Sequence, residues 1–217
     1  MKAEEVVSYL QDHPGFFEDY AELLAQIYIP HPHGGRAIPI AERQILTLRE
    51  KSKMLEGKLA ELIQFGEEND AIGEIMHRLC LALASAGDLQ AMLQALYYNL
   101  REDFAVPHTA LRVWGPDPGA LAGSEFAPVG EELRLYAGGL EHPLCGADAN
   151  AEVLSWFGES AAQLRSFACM PLRDAGRQCF GMLALASEDS KRFYPEMGTL
   201  YLARLGELLS AALQRYL

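Results

Sequence analysis

The chain has 217 residues, half of them hydrophobic and 22% charged, which is enough apolar material for one packed domain with an appendage and excludes global disorder. Its formal net charge is −12, with 7 basic and 13 acidic side chains in residues 1–70 and 11 and 17 in the remainder. That balance offers no basic stripe to a nucleic acid or to an anionic membrane, so neither is an expected partner.

The N-terminus places Glu4 and Glu5 where a signal peptide needs apolar residues, and no apolar run reaches the roughly 20 residues that span a bilayer; the expected location is the cytoplasm. Residues 3–12 and 16–28 read as two short helices split by the turn signal Asp12-His13-Pro14-Gly15. Val6, Val7 and Leu10, then Phe16, Phe17, Leu23, Leu24 and Ile27, give each one sticky face, and helices so short need something to dock on. A breaker-rich loop, PHPHGGRAIP, follows from Pro30 to Pro39.

A long helix is predicted from near Ile40 to about Ser85. Ile45, Leu48, Ser52, Leu55, Leu59, Leu62, Gly66 and Asn69 alternate spacings of three and four, the a/d pattern of a coiled-coil seam. Ser52, Gly66 and Asn69 weaken it, so Leu55, Leu59 and Leu62 form its strongest part. The expectation is a homodimer with Ile45, Leu48, Leu55, Leu59 and Leu62 in contact; the competing reading is a helix packed along its own domain. Whether such helices would pair parallel or antiparallel is open at this point.

Asp88 suits the cap of a helix carrying Leu89, Met92, Leu93, Leu96 and Leu100, which ends before Pro107. Thr109–Trp114 reads as a strand stopped by Gly115-Pro116. The Gly-, Ala- and Pro-rich stretch 116–165 is expected to hold a second strand at Leu133–Ala137, a short segment near Pro143-Leu144 and a small helix at Ala151–Phe157. Strands follow at Ser166–Leu172 and Cys179–Ser187, and a final amphipathic helix is predicted to start at Pro195. The fold class is α+β: an antiparallel sheet with helices grouped on one face, behind an N-terminal helical arm and a long coiled-coil-like helix.

Strand, tight turn, strand, loop and long helix, with Pro171-Leu172 closing the first strand and a Gly-x-Leu-x-Leu core in the second, resemble the end of a GAF-type sensory domain. Gly181 to Asp189 and Arg192 to Thr199 resemble the C-terminal signature of a bacterial family known as a domain of unknown function, family 484. His13-Pro14 with Phe16-Phe17, Glu42-Arg43-Gln44 and Cys145-Gly146 resemble it as well. The resemblance covers nearly the whole chain. It implies an arm at 1–39, a linker or dimerisation helix at 40–85 and a GAF-like domain at 86–217, and it implies no established activity.

GAF-like domains commonly hold a small ligand between the sheet and the segment covering its open face, here about 116–165. The candidates are Arg112, Trp114, His142, Cys145, Arg165 and Ser187. Each has a plainer alternative: Arg112 on a strand can face solvent, and Trp114 at a strand end can be core. Lys191 and Phe193 match a cyclic-nucleotide signature loosely, but its Asn and Asp-Glu are missing, and Phe193 is better explained as a plug under the last helix. A bilin needs a Cys-His pair that this chain lacks; His142 only precedes Cys145 by three residues.

One enzyme branch of the fold reduces free methionine sulfoxide with clustered cysteines. Cys145, Cys169 and Cys179 invite the comparison, the hairpin being able to set the last two face to face, but buried strand cysteines are usually inert. Cys80, the fourth cysteine, and these three lack Cys-x-x-Cys spacing and read as small buried hydrophobes. His31 and His33 form a His-x-His with no further ligand near in sequence, so no metal is expected. No Ser-His-Asp context, P-loop or Gly-x-Gly-x-x-Gly is present.

The expected function is a non-enzymatic, homodimeric GAF-like sensory or regulatory module. It would bind an unidentified small ligand, with no cofactor named by the sequence, and signal through a protein partner via helices 3–28 and 40–70. The alternatives are a structural scaffolding dimer without a ligand and, more weakly supported, a thiol-based reductase.

Overall fold

A computed structural model describes residues 2–29, 38–114 and 123–217. The chain divides into two compact units, residues 1–69 and 70–217. Among the described residues no helix is long and apolar enough to cross a membrane.

The first unit opens with helix α1 (Ala3–Asp12). The single helix expected over 16–28 is instead two, α2 (Phe16–Asp19) and α3 (Ala21–Gln26), broken where Tyr20 leaves helical geometry at φ −119° and ψ 37°. Tyr20 stacks on Phe16 at 4.8 Å between ring centroids, and Tyr9 stacks on His13 at 4.4 Å. Residues the sequence reading gave to helix and loop then pair as a short ladder, β1 (Tyr28–Ile29) with β2 (Ile38–Pro39). His31 and His33 lie outside the described residues. Helix α4 (Ile40–Ser85) follows as an unbroken 46-residue element that runs on into the second unit.

The second unit is built on a four-stranded antiparallel sheet of order β3-β6-β5-β4. Its strands are β3 (His108–Val113), β4 (Leu144–Gly146), β5 (Ser166–Arg173) and β6 (Cys179–Ser187). Helix α5 (Leu89–Glu102) leads into β3, capped by Asp88, whose Oδ1 accepts the N–H of Ala91 at 2.8 Å. Pro171 sits inside β5, where a missing N–H would normally break a ladder. It is tolerated because β4 pairs with β5 only from Phe167 to Cys169, which leaves that side of Pro171 without a neighbouring strand.

Both faces of the sheet are buried. Leu111, Met170, Leu172, Leu183 and Leu185 pack against Leu79 and Leu83 of α4, Met92, Leu96 and Leu100 of α5, and Leu205, Leu209 and Leu213 of α8 (Leu200–Leu213). The long helices thus gather on one face, as the fold class requires. Met182, Ala184 and Cys169 on the opposite face meet two short helices, α6 (Glu131–Gly139) and α7 (Ala151–Ser155).

Two expectations fail in this unit. Leu133–Ala137 is helical rather than a strand: Leu133 and Ala137, four apart, are buried on one side of α6 while Leu135 is 72% exposed. The last helix starts at Leu200 rather than Pro195. Met197 closes one turn onto the Tyr194 carbonyl at 3.1 Å, Gly198 follows, and Thr199 becomes the cap, its carbonyl accepting the N–H of Ala203 at 2.9 Å. Phe193 is buried in the main core beneath the helices, the plug that the sequence suggested.

Candidate functional site

Strand register decides which of the six candidate side chains can act together. Arg112 lies on edge strand β3 and Trp114 directly follows it, toward the end of the sheet marked by the β5–β6 turn. Cys145 lies on the other edge strand, β4, three strand spacings away, or about 14 Å. Arg165 and Ser187 meet at the far end of the hairpin, where the Ser187 carbonyl accepts the Arg165 N–H at 2.8 Å. The six therefore fall into separate groups and do not ring one small ligand.

A group of polar side chains from several elements surrounds Arg112. Its guanidinium lies 5.0 Å from the centre of the Trp156 ring, and Nη1 donates to the Leu111 carbonyl at 2.8 Å. Burial lowers its pKa, while Tyr97, Glu125 and Glu152 oppose that shift. Glu152 is held in place by accepting the Gly130 N–H at 2.8 Å, and Glu125 accepts the Tyr97 hydroxyl at 2.8 Å. The arrangement gathers side chains of α5, the Ser124–Phe126 turn and α7 around one cation on β3 that is stacked on an aromatic face.

Trp114 is committed to structure as well. Its indole N–H donates to the Cys179 carbonyl at 3.0 Å, and its ring joins Tyr136, Trp156 and Phe157 around Leu133 and Val153. These side chains occupy the interface between the sheet and α6/α7, the place where the resemblance put a ligand. Residues 115–122, part of the expected covering segment, lie outside the described residues.

A cleft of about 850 Å³ opens elsewhere, beside the part of β5 that β4 leaves unpaired. Ala203, Gly206 and Ser210 of α8 line it with Pro171, Arg173 and His142. Arg173 is already occupied: Nη2 donates to the Gly138 and Leu140 carbonyls at 2.8 Å each, and Nη1 to the Arg177 carbonyl at 2.9 Å. It thereby caps the C-terminal end of α6, where a cation is favoured by the helix dipole. His142, exposed before β4, is the one sequence candidate in this cleft.

The hairpin does not set Cys169 against Cys179. Cys179 stands opposite Arg173 rather than Cys169, four residues along β5, or about 13 Å away. Cys145 packs on one face of the sheet and Cys169 on the other. Burial pushes the Cys169 thiol up to about 12, and burial likewise raises Cys145 and Cys179, against the low value an attacking thiolate needs. Cys80 is exposed, contrary to the reading of all four as buried. Among the described residues, no group of three His, Cys, Asp or Glu side chains is placed to hold a metal.

The sequence reading missed Tyr97, Glu125, Glu152, Trp156 and Arg173. No local motif connects Tyr97 to a carboxylate 28 residues away. Trp156 carried a usable signal, an aromatic on the helix expected at Ala151–Phe157 in the segment opposite the sheet.

The family model described as "Protein of unknown function, DUF484" matches residues 1–217. The chain belongs to this family. No curated protein matches it. Among solved structures, the GAF domain of a phosphoenolpyruvate-protein phosphotransferase from Coxiella burnetii is 19% identical, with a TM-score of 0.52 over 66% of this chain and 93% of that one. A GAF domain from an Acinetobacter phosphoenolpyruvate-protein phosphotransferase is 15% identical, with a TM-score of 0.48 over 66% and 93%. A free methionine-R-sulfoxide reductase from Neisseria meningitidis, bound to its substrate, is 19% identical, with a TM-score of 0.45 over 66% and 88%. The DUF484 chain thus carries a GAF fold, as its strand order and C-terminal hairpin suggested.

Proposed function

We propose that this chain is a non-enzymatic regulatory module that works as a homodimer and passes its output to a partner protein through the arm and the first part of α4. The observation that carries this reading is the exposure of α4 from residue 43 to 69. Ile45, Leu48, Leu55, Leu59 and Leu62 are 50–66% exposed along one stripe. Burying each such side chain contributes about 1.5–3 kcal/mol, so a second apolar surface over the stripe would stabilise it. Raised thiols, with Cys145 and Cys169 on opposite faces of the sheet, support a non-enzymatic reading.

Light scattering at tens of micromolar tests it. Wild type is expected at dimer mass and the Leu55→Asp/Leu59→Asp variant at monomer mass, with unchanged far-UV dichroism from the second unit. A monomeric wild type at that concentration overturns the proposal.

A second reading, a scaffolding dimer with no ligand, is favoured by the aromatic filling of the interface between the sheet and α6/α7. The sensory reading is favoured by the cleft beside His142. Native mass spectrometry of freshly purified protein separates them: a retained small molecule supports sensing, and a bare mass supports the scaffold.

A further inference from the structure

We propose that the first part of α4 pairs with the same segment of a second copy in parallel and in register. The inference rests on the homodimer reading and adds its orientation.

The heptad assignment fixes what flanks the seam. With Ile45, Ser52 and Leu59 at a and Leu48, Leu55 and Leu62 at d, the g positions include Lys51 and Lys58 and the e positions include Arg49 and Glu56. All four flanking side chains are exposed. In a parallel pair, g of one helix faces e of the next heptad in the other, so Lys51 of one subunit faces Glu56 of the partner subunit. The twofold axis repeats that ion pair, and no like charges meet at these positions.

A hydrogen bond within the chain supports the same geometry. The Ser52 hydroxyl donates to Glu56 Oε1 at 3.0 Å, which draws the carboxylate toward the seam and leaves its second oxygen for an ammonium group across it. Ser52 is thereby satisfied at an otherwise apolar position. Parallel register also stacks like on like, with Ile45, Leu48, Leu55, Leu59 and Leu62 each meeting its own copy.

Antiparallel alignments lose one of these two matches. Centring on Ser52 against Leu55 brings Lys51 against Lys58 twice, which cancels the gain from Arg49 against Glu56. Centring on Leu55 against Leu59 sets Lys58 against Lys58 and Glu56 against Glu56. Centring on Leu59 against Leu62 avoids these contacts but places Leu55 on Gly66 and Leu48 on Gly73, leaving two apolar layers unfilled.

The test is disulfide trapping in the full chain with exposed Cys80 replaced by Ser. Ser52→Cys in that background is expected to oxidise to a covalent dimer, because facing a positions lie within reach of a disulfide. Mixing it with the Leu55→Cys protein is expected to give self-linked species and no excess of 52-to-55 links. A dimer by mass that links 52 to 55 in preference to 52 to 52, or does not link at 52 at all, overturns the parallel arrangement and leaves the dimer standing. A monomer by mass overturns both. As a second measurement, Glu56→Lys is expected to raise the dimer dissociation constant roughly tenfold at low salt and much less at high salt, with recovery in Lys51→Glu/Glu56→Lys. An unchanged constant overturns the ion pair on which the orientation depends.

Discussion

The Tyr97 hydroxyl donates to Glu125 Oε1 at 2.8 Å, joining helix α5 to the short turn at Ser124–Phe126 that lies against edge strand β3. The residues are 28 positions apart, so the bond is a tertiary clamp rather than a local turn. Burial raises the Tyr97 pKa far above its ordinary value of 10, and the bond to Glu125 adds to the rise.

Tyr97→Phe is expected to lower stability by about 1 kcal/mol, read from the midpoint of urea unfolding at pH 7. The pH dependence has a definite sign. A folded pKa above the unfolded value gives stability that is complete below pH 10 and is lost as pH rises beyond it. Tyr97→Phe removes that contribution, so its stability should fall less steeply above pH 10 than that of wild type. Parallel curves for the two proteins across that range would show that Tyr97 titrates normally.

Ser210 offers a second test, because its hydroxyl serves two backbone groups. It donates to the Gly206 carbonyl at 2.7 Å and accepts the Arg173 N–H at 3.1 Å, where the β5–β6 register shifts. Ser210→Ala leaves that N–H without its partner and is expected to cost about 1–3 kcal/mol. Amide exchange at Arg173 should accelerate in the variant. Unchanged exchange would mean that water replaces the hydroxyl.

The main hairpin and the body of the last helix were legible because their residues have single local roles. Near-continuous apolar runs buried on both faces mark β5 and β6, and Phe193 fills a hole beneath the helices. Helix α6 was misread because Leu133, Leu135 and Ala137 alternate with polar residues like a strand. The acidic Glu131-Glu132 at its start and Gly138-Gly139 at its end are helix signals that outweigh three alternating positions. The polar group around Arg112 was not legible, because its partners come from α5, the Ser124–Phe126 turn and α7, far apart in sequence. Helix α4 was legible from Ile40 to Ser85, since helical periodicity is a purely local pattern.

The thiols give a chemical prediction. Cys80 is exposed while Cys145 and Cys169 are buried, so a disulfide reagent at pH 8 should label Cys80 rapidly and the other two only on unfolding. Cys169, raised from an ordinary 9 to about 12, contributes stability that is complete below pH 9 and is lost as pH rises toward 12. The loss is at most about 1.4 kcal/mol per pH unit for one thiol. Cys169→Ala should flatten that limb after allowance for its lower starting stability. Rapid native labelling of Cys169 would instead reopen the thiol-reductase reading.

Gly181 tests the sheet that places Arg112. A Cβ built there would lie 2.8 Å from the Arg112 carbonyl and 3.1 Å from Leu172 Cδ1. The first contact is with backbone across the β3–β6 ladder, where Val113 stands opposite Gly181, so no side-chain rotation relieves it. Gly181→Ala must push β3 away from β6 and is expected to cost about 1–3 kcal/mol, at the upper end because the neighbour is main chain. The displacement should also move the Arg112 guanidinium off Trp156 and change the indole fluorescence of the folded protein. Gly198→Ala is the control, since a Cβ there meets nothing within 4 Å. Equal stabilities for the two variants would show that the close approach at Gly181 is readily relieved.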